Sequence, residues 1–202
     1  MHLTRLFAAA VDPENGVPVG VTTGSSSSLR LRPLGAADEP QAREAHTELA
    51  LDGFEFLLDR TVGESWPAYL ARLEDQRVGV DLPEGWVPST FLVAEVDGVI
   101  VGRISIRHLL NAYLAEVGGH IGYGVRPGFR RRGYATEMLR QSLVIARGEG
   151  VERVLVTCDA DNVGSAQTIE NCGGELERIA PGRDGWSAKR RYWIDALAVA
   201  PV

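Results

Sequence analysis

The segment from His120 to Ala146 constrains the fold more than any other part of the 202-residue sequence. Apolar residues alternate between His120 and Val125, and this alternation predicts a short strand. Pro127-Gly128 ends that strand, and a loop with three consecutive arginines and Gly133 follows. From Ala135 onward, apolar residues recur on one face with helical spacing. A strand, a glycine-containing loop and a helix therefore follow one another directly.

This arrangement is typical of a site for a di- or polyphosphate. The first N–H groups of a helix have no partner within the helix, and the helix dipole places partial positive charge there. Gly133 carries no side chain where a ligand must approach the backbone. The three arginines from Arg130 to Arg132 add donors that suit phosphate. The sequence lacks the GxxxxGK[ST] pattern of a P-loop, and GxGxxG is absent from this segment.

The loop from Arg130 to Ala135 resembles the acyl-CoA-binding motif [QR]xxGx[GA] of the GNAT N-acetyltransferase superfamily. A second element agrees with it, because DADNVGS places Asn162 and Ser165 just after the apolar run that ends at Cys158. The phrases GHIGYGVRP, RRRGYATEML and NCGGELE are similar to those of a bacterial subset of predicted acetyltransferases within this superfamily.

The remaining chain supports a mixed α/β (α+β) fold of the GNAT type over about residues 29 to 195. We expect a first strand near residue 29, then helices, a hairpin around Asp97-Gly98, and further strands that alternate with two helices. The run from 37 to 60 predicts one or two helices, which Gly53 would divide. A right-handed crossover predicts that the strands holding Tyr123 and Cys158 are parallel, and the resemblance implies that this central pair splays apart.

The chain is expected to form one GNAT domain, residues 29–202, preceded by an arm or flexible linker at 1–28. Docking of that arm on a partner subunit is the alternative, and the assembly is expected to be a monomer or homodimer. No apolar run reaches the ~18–20 residues of a membrane span, and the N-terminus has too short an apolar core for a secretory signal. A cytoplasmic location is therefore expected, with Cys158 and Cys172 as reduced, buried thiols and a disulfide between them as the alternative.

The resemblance implies acetyl-CoA as co-substrate, no metal, and a primary amine of a small molecule or peptide as acceptor. Transfer would be direct, with pantetheine lying along the strand that holds Tyr123 and a backbone N–H stabilising the thioester oxygen. The implied cofactor-binding residues are Tyr123, Val125, Arg130, Arg131, Arg132, Gly133, Tyr134, Ala135, Thr136, Asn162 and Ser165.

The catalytic residues are less well defined, because Ile169 stands where many relatives have a tyrosine that protonates the leaving thiolate. Tyr123 and Tyr192 are candidate substitutes for this tyrosine, with packing as their alternative role. Alternatively, water protonates the thiolate, or the thiolate leaves without being protonated. His120 is the candidate general base, since an unperturbed imidazole pKa is about 6.5. Glu116 and His108 are its rivals, and an ordinary core or surface role is the alternative for His120.

Charge separates the competing functions. A net charge of −6 opposes general binding of nucleic acid, although an interaction module that binds phosphate or nucleic acid is one alternative. A degenerate domain that senses acyl-CoA without transfer is another, and Ile169 is its main support. Eleven acids and four arginines lie between residues 38 and 81. This excess suggests either a cationic acceptor or simply the solvated faces of two helices.

Overall fold

The structure is a computed structural model that describes residues 28–182, 185 and 187–198. Nearly all of the predicted arm at 1–28 lies outside this range. Within the described residues, seven strands form a single sheet in the order β1-β2-β3-β4-β5-β7-β6. The strands are β1 (Arg30–Arg32), β2 (Ser89–Val96), β3 (Val99–Arg107), β4 (Ile121–Val125), β5 (Arg153–Asp159), β6 (Glu175–Ala180) and β7 (Lys189–Asp195).

The predicted hairpin forms from β2 and β3. Asp97 and Gly98 both have positive φ, 50° and 80°, which is the conformation that a tight turn between right-twisted strands requires. Phe91 and Val93 of β2 face one side of the sheet, and Leu92 and Ala94 face the other, so each side of the sheet receives its own apolar layer. The hairpin thus supplies residues to both cores.

Two pairs of helices cover the sheet. Helices α1 (Glu39–Ala50) and α2 (Trp66–Val78) pack on one face. Helices α3 (Tyr134–Gly148) and α4 (Val163–Asn171) pack on the other. Ser65 caps α2, because its side chain accepts the N–H of Ala68. A short π-helical segment, Leu114–Gly118, precedes β4. No helix in the described part of the chain is long and apolar enough to cross a membrane.

The run from 37 to 60 contains one helix rather than two. Helix α1 ends at Ala50, and the chain from Phe54 onward is irregular. Its backbone groups find partners outside any helix: the Leu57 N–H donates to Nδ1 of His46, and the Glu55 carbonyl accepts from the guanidinium of Arg103. These contacts hold the segment against the sheet, so of the two predicted possibilities, one helix or two, the structure has the single helix.

The parallel pair β4–β5 separates almost as soon as it forms. Ile121 with Val156 is its one paired position, whereas β5 pairs with β7 along its whole length. The resulting opening lies at the carboxyl ends of the two strands, as the sequence predicts. Cys158 and Cys172 are free thiols, as expected.

Candidate functional site

A cavity of about 760 Å³ occupies the opening between β4 and β5. It extends from the end of α1 on one face of the sheet to the first turns of α3 and α4 on the other. Its lining residues are Leu49, Asp52, Gly53, Phe54, Tyr123, Gly124, Val125, Phe129, Arg130, Arg131, Gly133, Tyr134, Ala135, Thr136, Asp159, Asn162, Gly164, Ser165, Gln167 and Thr168. All of the cofactor-binding residues inferred from the sequence except Arg132 are among them.

The N-terminus of α3 opens into this cavity without a side-chain cap. Gly133 is the N-cap residue, and its left-handed conformation (φ 80°, ψ −3°) turns the loop into the helix. The first bond within the helix is donated by Glu137 to the Gly133 carbonyl, so the N–H groups of Tyr134, Ala135 and Thr136 precede the helical ladder. These three residues line the cavity. Their N–H groups and the helix dipole therefore form a site suited to an anion.

The three arginines of this loop differ in their contacts. Arg130 forms an ion pair with Asp52 at 2.5 Å and donates to the Val125 carbonyl, which ties the loop to α1 and β4. Arg132 donates to the Gly128 carbonyl and stacks on Phe129, outside the cavity. Arg131 lines the cavity, and its guanidinium has no partner among the described residues. Of the three, Arg131 is the one free to meet a ligand.

The opposite wall is the start of α4. The Asn162 side chain accepts the N–H of Ser165 at 3.0 Å and so caps this helix. The Ser165 hydroxyl lies 2.8 Å from the Tyr123 hydroxyl. Burial raises the pKa of Tyr123 to about 12, so the phenol is neutral near pH 7. A neutral hydroxyl pair thus faces the cavity.

The edge of β4 supplies backbone donors to the same space. Arg126, one residue past β4, donates its N–H to the Val101 carbonyl of β3. Because hydrogen-bonded positions alternate in an antiparallel ladder, the N–H groups of Tyr123 and Val125 face away from β3, toward the opening. This edge is where the resemblance places the N–H group that would stabilise the thioester oxygen.

Phe54 completes the cavity on the α1 face, and sequence analysis did not identify it. Its ring lies directly on Gly124, so that a Cβ at position 124 would meet ring carbons at 2.6 Å. The alternation of Gly122 and Gly124 within a strand is the sequence signal for such a close approach. Phe54 is therefore positioned by glycine in β4 rather than by a local motif.

His120, the candidate base, lies outside the lining of the cavity. It is 7% exposed, and its Nδ1 accepts the Leu155 N–H at 2.9 Å. Burial, with a smaller contribution from the charge of Arg107, lowers its pKa to about 4. His108 contacts Thr90, and Glu116 forms an ion pair with Arg178. A direct role as base stays a prediction for all three side chains.

A neutral buried His120 makes stability depend on pH. The unfolded chain binds a proton with a pKa of about 6.5, whereas the folded protein excludes it until about pH 4. The unfolding free energy should therefore fall as pH drops through this window, and His120→Gln should remove up to ~1.4 kcal/mol per pH unit of that slope. Urea unfolding of both proteins between about pH 4 and 7.5 measures this. Parallel pH profiles would contradict it.

Tyr192 and Ile169 both lie in the core. Tyr192 is fully buried, and its hydroxyl donates to Glu170 at 2.9 Å. Ile169 is also fully buried and packs against Gly174. Tyr192→Phe should cost about 1 kcal/mol of stability, the usual value of one hydrogen bond, and leave the rate of any transfer reaction unchanged. A rate loss of about tenfold or more would instead place Tyr192 in the chemistry.

The acidic segment is largely neutralised. Seven of its eleven acids form ion pairs with arginines, namely Asp38, Glu39, Glu44, Glu48, Asp52, Glu64 and Glu74. The Arg126 guanidinium, for example, binds both Glu44 and Glu48 and lowers the pKa of Glu48. This pairing favours the interpretation of the acids as helix surface and ion-pair partners over an attraction for cationic acceptors.

Comparisons with known proteins agree with this architecture. The family model described as the acetyltransferase (GNAT) family matches residues 55–173. Acetyltransferase YE1169 of Yersinia enterocolitica is 37% identical over 78 residues, which are 38% of this chain and 52% of that protein. The chain thus spans about half the length of this curated relative.

Solved structures show the same fold at low identity. RimJ of Mycobacterium smegmatis, solved in complex with CoA-disulfide, has a TM-score of 0.63 and 19% identity, covering 86% of this chain and 84% of that one. The structure of yncA from Salmonella typhimurium with its cofactor acetyl-CoA has a TM-score of 0.58 and 19% identity, covering 83% and 94%. The mixed sheet with its splayed parallel pair is thus the expected GNAT fold. Because the family model covers more than half of the sequence, this chain belongs to the acetyltransferase (GNAT) family.

Proposed function

We propose that the protein is an acyl-CoA-dependent N-acetyltransferase, which transfers an acetyl group from acetyl-CoA to a primary amine of a small molecule or peptide. The observation that carries the proposal is the cavity between β4 and β5, with uncapped N–H groups at one end and an open strand edge beside it. Family membership and the acetyl-CoA and CoA-disulfide bound by the structural relatives support the choice of co-substrate.

The diphosphate would bind at the N-terminus of α3. The N–H groups of Tyr134, Ala135 and Thr136 precede the helical ladder there, and Arg131, which has no partner among the described residues, adds a positive charge beside them. Pantetheine would extend along β4 and bond with the backbone of Tyr123 and Val125 as an added strand. Asn162 and Ser165 on the facing wall would contact the same chain. No metal is required for this arrangement.

Transfer would proceed by direct attack. The amine lone pair forms the N–C bond to the thioester carbon, an N–H of β4 stabilises the oxyanion, and the C–S bond then breaks. The sulfur leaves as a thiolate with an ordinary pKa of about 8.5. A phenol with a pKa of about 12 transfers its proton to such a thiolate only at a cost of roughly 5 kcal/mol. We therefore assign the Tyr123 hydroxyl the role of hydrogen-bond donor to the sulfur.

The acceptor must also lose a proton from its ammonium form before its lone pair can attack. His120 is neutral above about pH 4, but its Nδ1 lone pair already accepts the Leu155 N–H, so Nε2 carries the ring proton and no lone pair is left for a second one. Because His120 also lies outside the cavity lining, we assign removal of the ammonium proton to water.

Amine-dependent release of CoA thiol is the test of this function. The protein is incubated with acetyl-CoA and a panel of amines, and free thiol is followed with a chromogenic disulfide while binding is followed by calorimetry. Release that requires an amine, with formation of the acetylated amine, supports transfer. Saturable acetyl-CoA binding without any amine-dependent release would instead indicate an acyl-CoA sensor, and absence of binding would refute both functions.

A further inference from the structure

Arg103 of β3 is buried and Arg107 of the same strand is half-buried. Neither guanidinium forms an ion pair with a carboxylate of the described residues. Among the described residues, no acidic side chain lies within ion-pair distance of either guanidinium, whereas buried Arg126 binds Glu44 and Glu48, and buried Arg191 binds Glu177. The chain therefore neutralises its other deeply buried arginines. Two buried guanidiniums that form no ion pair are costly unless a ligand supplies the partner.

Arg103 is held firmly and is still short of partners. It is 4% exposed, and its guanidinium lies over the rings of Phe54 and Phe91, 4.2 and 5.8 Å from their centroids. One nitrogen donates to the Glu55 carbonyl at 2.6 Å, and another makes only long contacts to Ser105 and Gly122. Its Nε is buried without any hydrogen-bond partner. Burial, together with the nearby charge of Arg107, lowers its pKa to about 10.

Arg107 and Ser105 extend this polar surface along the strand. Residues 103, 105 and 107 alternate, so their side chains share the face of the sheet that carries α1 and α2. Arg107 donates to the carbonyls of Gly118 and Gly119, both at 3.3 Å, and Ser105 is 1% exposed. On this face of β3, no apolar residue lies between Arg103, Ser105 and Arg107.

Gly122 leaves the space above Ser105 free of a side chain on β4. The two residues are paired across the strands. A Cβ at Gly122 would stand 3.7 Å from both the Ser105 hydroxyl and the Arg107 guanidinium, which is ordinary contact distance. Gly122 precedes Gly124 by two residues, about 7 Å along the strand and on the same face, and Gly124 lines the cavity. The arginines thus lie next to the cavity on the α1 side.

The acids nearest to this surface are Asp59 and Glu55, both on the α1–α2 loop. Burial and the charge of Glu55 raise the pKa of Asp59, while the charges of Arg72, Arg103 and Arg107 act in the opposite direction. Asp59 also borders a second cavity of about 510 Å³. The α1–α2 loop therefore places a carboxylate near the two arginines without forming an ion pair with either, and an ammonium group could bind beside it.

We propose that Arg103, Ser105 and Arg107, with the space at Gly122, form a subsite for a carboxylate on the acceptor. A carboxylate accepts two parallel bonds from a guanidinium and a third from a hydroxyl, which matches these groups. The acceptor would then be a small amine with its own carboxylate, of the amino-acid class, rather than a polyamine. This proposal rests on the proposed function, because it names the acceptor of that transfer.

Matched acceptor pairs test the proposal. Thiol release is measured for a panel of α-amino acids, for their carboxamides and for the corresponding amines without a carboxyl group. The wild-type protein should favour the carboxylate in each active pair by about 10- to 100-fold in kcat/KM, the value of a charged hydrogen bond. Equal rates for acids and amides would overturn the subsite.

Variants assign that preference to the arginines. Arg107→Gln should remove most of the preference by slowing the acids while the amides and the Kd for acetyl-CoA stay unchanged. Arg30→Gln, a change of the same kind on the exposed edge strand β1, is the matched control and should keep the preference. Gly122→Ala fills the space without a clash and should weaken the acids even if Arg107→Gln fails to fold. A preference that survives both site variants would overturn the assignment.

Binding separates failure of the subsite from failure of the transfer reaction. If acetyl-CoA binds and no amine in the panel is acetylated, the proposed transfer fails. Saturation-transfer NMR with the same amino acids and carboxamides, in the presence of CoA, then decides on the subsite. Binding of the acids alone, lost in Gly122→Ala and Arg107→Gln, supports it. Binding of neither set, or binding unaffected by both variants, overturns it.

Discussion

Replacement of Gly133 by valine is expected to abolish acetyl-CoA binding while the chain stays folded. Gly133 has φ 80°, and apart from its chain neighbours no atom of the described residues lies within 4 Å of a Cβ placed there. The added side chain would therefore project into the cavity that Gly133 lines and displace a ligand from the N–H groups that follow. Loss of two charge-assisted hydrogen bonds corresponds to an increase in Kd of more than ~100-fold. Calorimetric titration of acetyl-CoA measures it.

Gly150→Val is the matched control for this experiment. Gly150 follows the other end of α3, has φ 84°, and likewise has open space around its Cβ. Each variant forces a β-branched residue into a left-handed conformation, at about 1–3 kcal/mol. We expect the two variants to lose similar amounts of stability, and only Gly150→Val to keep acetyl-CoA binding. That result would show that the Gly133→Val side chain blocks the ligand and does not act through lost stability. Unchanged affinity in Gly133→Val would contradict the phosphate site.

Tyr123→Phe is expected to lower kcat by about 10- to 100-fold with little change in acetyl-CoA affinity. The phenol lines the cavity, and burial keeps it protonated with a pKa of about 12. A hydrogen bond to a developing thiolate is worth about 1.5–3 kcal/mol, which gives this range. Steady-state kinetics with an active amine, together with calorimetry, separate kcat from binding.

The pH dependence distinguishes a hydrogen-bond donor from a proton donor. A donor with a pKa of about 12 stays neutral through the accessible range, so the phenylalanine variant should lose rate by the same factor at every pH. Ser165→Ala, which removes the partner of the Tyr123 hydroxyl at 2.8 Å, should have a smaller effect. Loss of an alkaline limb in Tyr123→Phe would show that Tyr123 transfers its proton.

The parts of the fold that the sequence predicted well are those specified locally. The strand, loop and helix from His120 to Ala146 need only alternation, helical spacing and a glycine with positive φ, and each is present. Asn162 caps α4 because an amide oxygen three residues before an N–H is sufficient for that bond. The cavity walls at α3 and α4 could be inferred for the same reason.

The features that the sequence did not reveal depend on contacts between distant segments. Residues 54 to 60 have helical apolar spacing, yet the loop is irregular because His46 and Arg103 bind its backbone. Phe54 reaches the cavity only because Gly124, far along the chain, leaves room for its ring. The burial that lowers the pKa of His120 to about 4 appears only once the sheet is assembled, and so does the Arg103 Nε that has no hydrogen-bond partner among the described residues.

Backbone amide shifts on titration with acetyl-CoA test the central claim most directly. The measurement is a series of ¹H–¹⁵N correlation spectra of the wild-type protein at increasing acetyl-CoA concentration. We expect saturable changes that are largest at the N–H groups of the open β4 edge, the first turn of α3 and the start of α4, namely Tyr123, Val125, Tyr134, Ala135, Thr136 and Ser165. Spectra that do not change, or changes confined to other parts of the sheet, would contradict the assignment of this cavity to acetyl-CoA.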